Sequence, residues 1–96
     1  MRQPIIYRQF WDVPRLFALE HRGDVYVFEC DFDEQLDDYP PNFKVYRLPK
    51  STLTDFSRNA FSTNSALVGE IIVSDVKFDK TRRKEVDTDC LAKLKR

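Results

Sequence analysis

The residues from Arg15 to Cys30 constrain the fold of this chain more than any other stretch. Two apolar runs, Arg15 to Glu20 and Val25 to Cys30, flank the polar set His21, Arg22, Gly23 and Asp24. A lone glycine between such runs supplies the positive φ that a tight turn between antiparallel strands requires. Loop length then decides the register. A two-residue loop at Arg22 and Gly23 sets Phe17 opposite Phe28 and Leu19 opposite Tyr26. A three-residue loop with Gly23 at a bulge sets Leu16 opposite Phe28 instead. One slip exchanges the two faces of the hairpin, and the residues alone leave both registers open.

The rest of the chain also reads mostly as strands. Pro4 to Phe10 is a first strand, entered through proline, with Ile5, Ile6, Tyr7 and Phe10 suited to a sheet. Trp11, Asp12, Val13 and Pro14 break it, because proline sets the turn and holds Val13 extended. Asp31 to Asn42 is acidic, carries Pro40 and Pro41, and is expected to be an exposed loop. Phe43 to Leu48 alternates as a strand that Pro49 ends. Ser51 is placed to cap a short helix over 52–61, with Leu53, Phe56 and Ala60 at helical spacing. Leu67 to Phe78 returns to strand character, and its change of alternation near Ser74 and Asp75 predicts a bulge or bend. Asp87 or Thr88 is placed to cap a last short helix with Leu91 and Leu94 facing inward. The expected fold is a single α+β domain over residues 1–96: a small, mainly antiparallel sheet of four to five strands with one or two short helices. Its core should include Ile6, Phe17, Leu19, Tyr26, Phe28, Val45, Phe56, Ile71, Val73 and Leu91.

Composition removes several function classes. Sixteen Lys and Arg balance sixteen Asp and Glu, which argues against a generic nucleic-acid coat and against an acidic DNA mimic. Eight Phe, four Tyr and one Trp among 96 residues give enough apolar surface to offset chain entropy, so the chain is not disordered. No apolar run approaches the roughly 20 residues of a membrane helix, and the first residues lack a signal-peptide apolar stretch. Cys30 and Cys90 are the only cysteines and lie far apart, a usage that suits buried thiols in a reducing compartment. The expected location is the cytoplasm.

Tests for catalytic constellations mostly fail. His21 is the only histidine and sits beside the predicted turn, with no nucleophile-elbow glycine pattern to accompany it. Its ordinary reading is an exposed turn residue. A zinc site needs about four closely spaced ligands, and one His with two distant Cys does not supply them. Asp31, Asp33, Gln35 and Asp37 alternate as in a calcium loop, but Leu36 stands where such a loop wants Gly and Asn42 where it wants Glu. Asp75 and Lys77, with Asp55 upstream, match the acid-x-Lys step of metal-dependent nucleases, where carboxylates hold Mg²⁺ beside a lysine. Three commonplace residues, Asp75-Val76-Lys77, carry that match, and a chain of this size is too small for that core with its flanking helices. A strand that exposes charge on its outer face is the ordinary reading. No catalytic residue, cofactor or metal is therefore assigned, and the chain is read as a non-enzyme.

Binding features are stronger, because the balanced charge is not evenly distributed. Residues 1–48 carry six bases and nine acids, and residues 49–96 carry ten bases and seven acids. Asp33, Glu34, Asp37 and Asp38, with Tyr39 as an aromatic anchor on a proline-stiffened loop, form a candidate protein-binding surface. Equally, Tyr39 and Phe43 can fold back to close the core beneath that loop. Lys80, Arg82, Arg83 and Lys84 form the alternative, a phosphate-gripping patch for nucleic acid. An exposed edge strand could also pair two copies as a homodimer.

A family resemblance runs through some of the same residues. Phe10, Asp12, Pro14 and Phe17, then Gly23 and Tyr26, then the acidic stretch, then Tyr46 and Pro49 before a short helix resemble a family of small bacterial and phage-borne domains of unknown function. The resemblance covers about Tyr7 to Leu53 and implies a compact β-rich fold without implying an activity. The expected function is that of a non-catalytic protein-interaction or regulatory module, one version being an immunity or inhibitor domain that blocks a basic protein surface.

Overall fold

The hairpin settles on its shorter loop. Arg22 and Gly23 have φ angles of 53° and 84°, the left-handed pair that a type I′ turn requires. His21 consequently sits opposite Asp24, Leu19 opposite Tyr26 and Phe17 opposite Phe28. A Cβ added at Gly23 would meet no atom within 4 Å, so backbone conformation alone reserves that position for glycine. Arg22 bears the same conformation with a side chain, at a cost of about 1 kcal/mol.

The computed structural model describes residues 2–10, 13–49, 53, 56, 67–79 and 85–94. Among these residues six strands are present: β1 (Arg2–Phe10), β2 (Pro14–His21), β3 (Asp24–Glu29), β4 (Asn42–Pro49), β5 (Leu67–Ile72) and β6 (Glu85–Asp87). They form one antiparallel sheet in the order β5-β4-β3-β2-β1-β6. The chain leaving β5 makes a 3₁₀ turn at Val73–Asp75, the bend foreseen near Ser74, and then runs beside β6. There the Asp79 N–H donates to the Glu85 carbonyl at 3.1 Å, and the Asp87 N–H donates to the Lys77 carbonyl at 3.0 Å. Phe78 bridges Val86, and its ring lies 5.3 Å from that of Phe17 across the concave face. The sheet thus curls into a half-barrel.

Among the described residues this architecture corrects the expected α+β domain of four to five strands to a six-stranded antiparallel sheet with 3₁₀ turns. The sixth strand escaped notice because Glu85, Val86 and Asp87 carry a single apolar residue between two acids. Pairing with Arg2, Gln3 and Pro4 of β1 makes it a strand. The last helix is a 3₁₀ segment, Thr88–Lys93, capped as expected by Asp87, whose carboxylate accepts from the Asp89 N–H. Six residues are too few for a stable α-helix, and the tighter turn closes with the Leu94 N–H donating to the Leu91 carbonyl at 3.2 Å. The helix expected over 52–61 lies outside the described residues except at Leu53 and Phe56, both helical in backbone.

The register divides the apolar residues between two faces. One carries Ile5, Phe17, Leu19, Phe28, Phe43, Val45 and Ile71, covered by Val76, Val86 and Cys90. The other carries Ala18, Val25, Val27 and Leu48, covered by Phe56. The inner strands are buried on both sides, which explains why β2 and β3 read as continuous apolar runs rather than as alternation. Ile6, Tyr26, Val73 and Leu91, expected in the core, pack at its margins half-buried. On the first face the Phe17 and Phe28 rings stack at 4.6 Å, and Phe43 stands edge-on to both at 5.4 and 5.8 Å.

Two predictions follow from this packing and its turn. Phe17→Ala removes a fully buried ring that touches three others, and is expected to cost about 3–5 kcal/mol in urea titration. That loss is comparable to the whole stability of a small domain. Gly23→Ala should lower stability by about 1 kcal/mol, whereas Arg22→Asn, which suits the type I′ turn, should raise it by a few tenths to about 1 kcal/mol. Equal denaturation midpoints for the wild type and both turn variants would refute the turn assignment.

Candidate functional site

The acidic segment is a constructed loop held by its own aspartates. The Asp33 N–H donates to the Asp38 carbonyl at 2.9 Å, and the Asp38 N–H donates back to Asp33 at 3.3 Å. Between them the Asp33 Oδ1 accepts from the Gln35 and Leu36 N–H groups at 2.9 and 3.3 Å, an Asx-type turn. Asp37 takes a left-handed φ of 54°, which Asp tolerates better than most residues. The Asp38 Oδ1 accepts from the Tyr39 N–H at 2.7 Å. Asp33 and Asp38 therefore shape the loop, while Glu34 and Asp37 project from it into solvent.

Tyr39 is half-buried and packs against the core. The buried Arg15 guanidinium lies 4.2 Å from its ring centre, a cation–π contact, and Phe32 meets the same ring edge-on at 5.4 Å. Arg15 also donates from Nη1 to the Cys30 Sγ at 3.4 Å, and that thiol donates to the Pro40 carbonyl at 3.4 Å. The folded-back arrangement is thus the one adopted, and Phe43 is fully buried beneath the loop. The apolar groups the loop does present are Phe32, 49% exposed, and Leu36, 59% exposed. No local motif marks either: Phe32 stands between Asp31 and Asp33, and Leu36 beside Asp37.

Against this loop opens a cleft of about 550 Å³. Asp31, Phe32, Asp33 and Glu34 form one wall, and Glu29, Lys44 and Glu70 line the other. Those last three are directly paired across β3, β4 and β5, as an acid–base–acid row. Five acidic residues and a single lysine thus line the cleft. Glu29 accepts from the Tyr46 hydroxyl at 3.2 Å, and Glu70 accepts from the Asn42 side-chain amide at 3.2 Å. Burial, then the charge of Glu29 and its hydrogen bond, raise the Tyr46 phenol above its ordinary value. Glu70 and Lys44 belong to this site only through strand pairing, so no local motif marks them.

The other candidates are dispersed. His21 is half-buried beside the turn, its ring 6.4 Å from Tyr26. Asp75 lies in the 3₁₀ turn after β5, and the Lys77 ammonium donates to the Ser74 carbonyl at 3.0 Å. Asp55, and the proposed nucleic-acid contacts Lys80, Arg82, Arg83 and Lys84, lie outside the described residues. Among the described residues no group of three or more His, Cys, Asp or Glu could hold a metal, and no helix is long and apolar enough to cross a membrane.

Cys30 and Cys90 are buried and not joined in a disulfide. Burial, then the charge of Asp87, pushes the Cys90 thiol up to about 11. That environment disfavours the thiolate a nucleophile needs. With a folded value above the ordinary 9.0, Cys90 contributes stability that is fully present below that value. It is lost as pH rises toward about 11. Stability measured by urea titration should fall across this alkaline window, and Cys90→Ala should make the fall shallower. An unchanged slope would refute this assignment.

No family model, curated protein or solved structure matches this chain.

Proposed function

We propose that this domain is a non-catalytic protein-binding module of the cytoplasm, whose acidic cleft receives a basic segment of a protein partner. The observation that carries the reading is the cleft lining: Glu29, Asp31, Asp33, Glu34 and Glu70 against Lys44 alone, with Phe32 exposed on the rim. Complementary charge orients a partner and speeds encounter, while an aromatic group beside it supplies desolvated contact area. The loop holds this arrangement through the Asp33–Asp38 pairing and the Arg15–Tyr39 contact, so little ordering remains to oppose binding. An immunity or inhibitor role, covering a basic surface of a toxin or nuclease, is one concrete form. The two buried cysteines outside any disulfide support the cytoplasmic placement.

A labelled oligolysine peptide tests this reading by fluorescence anisotropy. Binding should weaken with added salt and fall by about tenfold in the triple variant Asp31→Asn, Glu34→Gln, Glu70→Gln. Neutralising Glu20 and Glu85 instead, which lie on the hairpin end of β2 and on β6, should leave affinity near that of the wild type. Phe32→Ala should weaken binding without changing the salt slope. Equal affinity in the cleft and control variants would sink the proposal.

A further inference from the structure

The two edges of the sheet are finished differently. The outer side of β6 is covered by Lys77 to Asp79 of the same chain, whereas β5 ends the strand order with no described strand beyond it. The ladder phase shows which groups this leaves open. The Val73 N–H donates to the Pro41 carbonyl at 2.8 Å, so Val73, Ile71 and Gly69 turn their backbone groups toward β4. Glu70 and Ile72, one residue out of phase, turn theirs outward. Around them Ile72 is 51% and Leu67 55% exposed. β5 carries one charged residue, Glu70, and neither proline nor lysine, so it lacks most devices that blunt an edge.

The same edge borders the acidic cleft through Glu70. The row Glu29, Lys44, Glu70 alternates in sign across β3, β4 and β5, and a strand added outside β5 would supply its next member. Alternation calls for a cation there. A second copy of this chain fits poorly, because two-fold antiparallel pairing of β5 brings the two Glu70 side chains opposite or diagonal to one another, with like charge. We infer that the outer edge of β5 accepts an extended segment of a basic partner protein as a seventh strand, with a Lys or Arg opposite Glu70 and an apolar residue opposite Ile72. This rests on the protein-binding reading of the cleft and identifies its mode as β-strand addition, in which backbone hydrogen bonds give affinity and alternate side chains give specificity.

Ile72 offers a clean test. Its φ is −61° and ψ 132°, values proline adopts without strain, and its N–H points away from β4. Ile72→Pro therefore removes the outward donor while leaving the β4 ladder intact, and Ile72→Thr serves as the control that keeps the N–H. The probe is a short synthetic peptide with threonine at every second position and lysine and valine alternating at the positions between, so that one face offers a lysine to Glu70 and a valine to Ile72, compared with the same peptide N-methylated at alternate residues. Thermal melts of each variant verify folding. The alternating peptide is expected to bind wild type and Ile72→Thr within a few-fold of each other, and Ile72→Pro about tenfold or more weaker. The N-methylated peptide should lose a similar factor, and amide exchange at Glu70 and Ile72 should slow on binding. If Ile72→Pro and the methylated peptide bind as well as their parents, strand addition is overturned while charge capture by the cleft stands. If neither the alternating peptide nor oligolysine binds, both readings fail together. A dimer abolished by Ile72→Pro would overturn the inference in favour of self-pairing.

Discussion

The cross-strand placement of Phe17 against Phe28 is the constraint on which the rest of the structure depends. It follows from a two-residue turn in which both Arg22 and Gly23 are left-handed. Because side chains alternate with period two, that single choice assigns every residue of β2 and β3 to a face. Phe28 then meets Val45, and Glu29 meets Lys44 on the opposite side. The aromatic cluster and the acidic cleft are thus consequences of one parity. A slip by one residue would turn Glu29 toward the phenylalanines and Phe28 toward the face that holds Ala18, Val27 and Phe56.

Edges shape the fold as strongly as the core does. A curled sheet of six strands has two edges, and this chain spends the segment after the Val73–Asp75 turn on covering one of them. The same crossing brings Phe78 over Phe17 and, with Val76 and Cys90, closes the concave face. A short and weak strand such as β6 persists because it is paired on both sides, to β1 and to Lys77–Asp79. The opposite edge keeps its outward backbone groups at Glu70 and Ile72.

The balanced charge resolves into separate local arrangements. Asp33 and Asp38 are absorbed by backbone N–H groups of their own loop, and Asp24 by the Arg47 guanidinium at 2.8 Å. Glu29 and Glu70 flank Lys44. Asp31 and Glu34 line the cleft beside them, a local excess of negative charge that the net charge of zero conceals.

Much of the meander was legible from residues near one another in sequence. The apolar runs located β2 and β3, Pro14 the break between β1 and β2, the change of alternation at Ser74 the bend after β5, and Asp87, one of two candidates, the cap of the last turn. Each of these signals is local, resting on backbone preference or on a side chain bonding to its own neighbours. Tertiary structure alone decided the hairpin parity, the existence of β6, the inward turn of Tyr39 beneath Arg15, and the meeting of Glu70 and Lys44 with the acidic loop. All of these depend on pairing between segments many residues apart. A strand as short as Glu85–Asp87 has too little intrinsic preference to declare itself, and a carboxylate joins a site only when its strand finds a neighbour and a register.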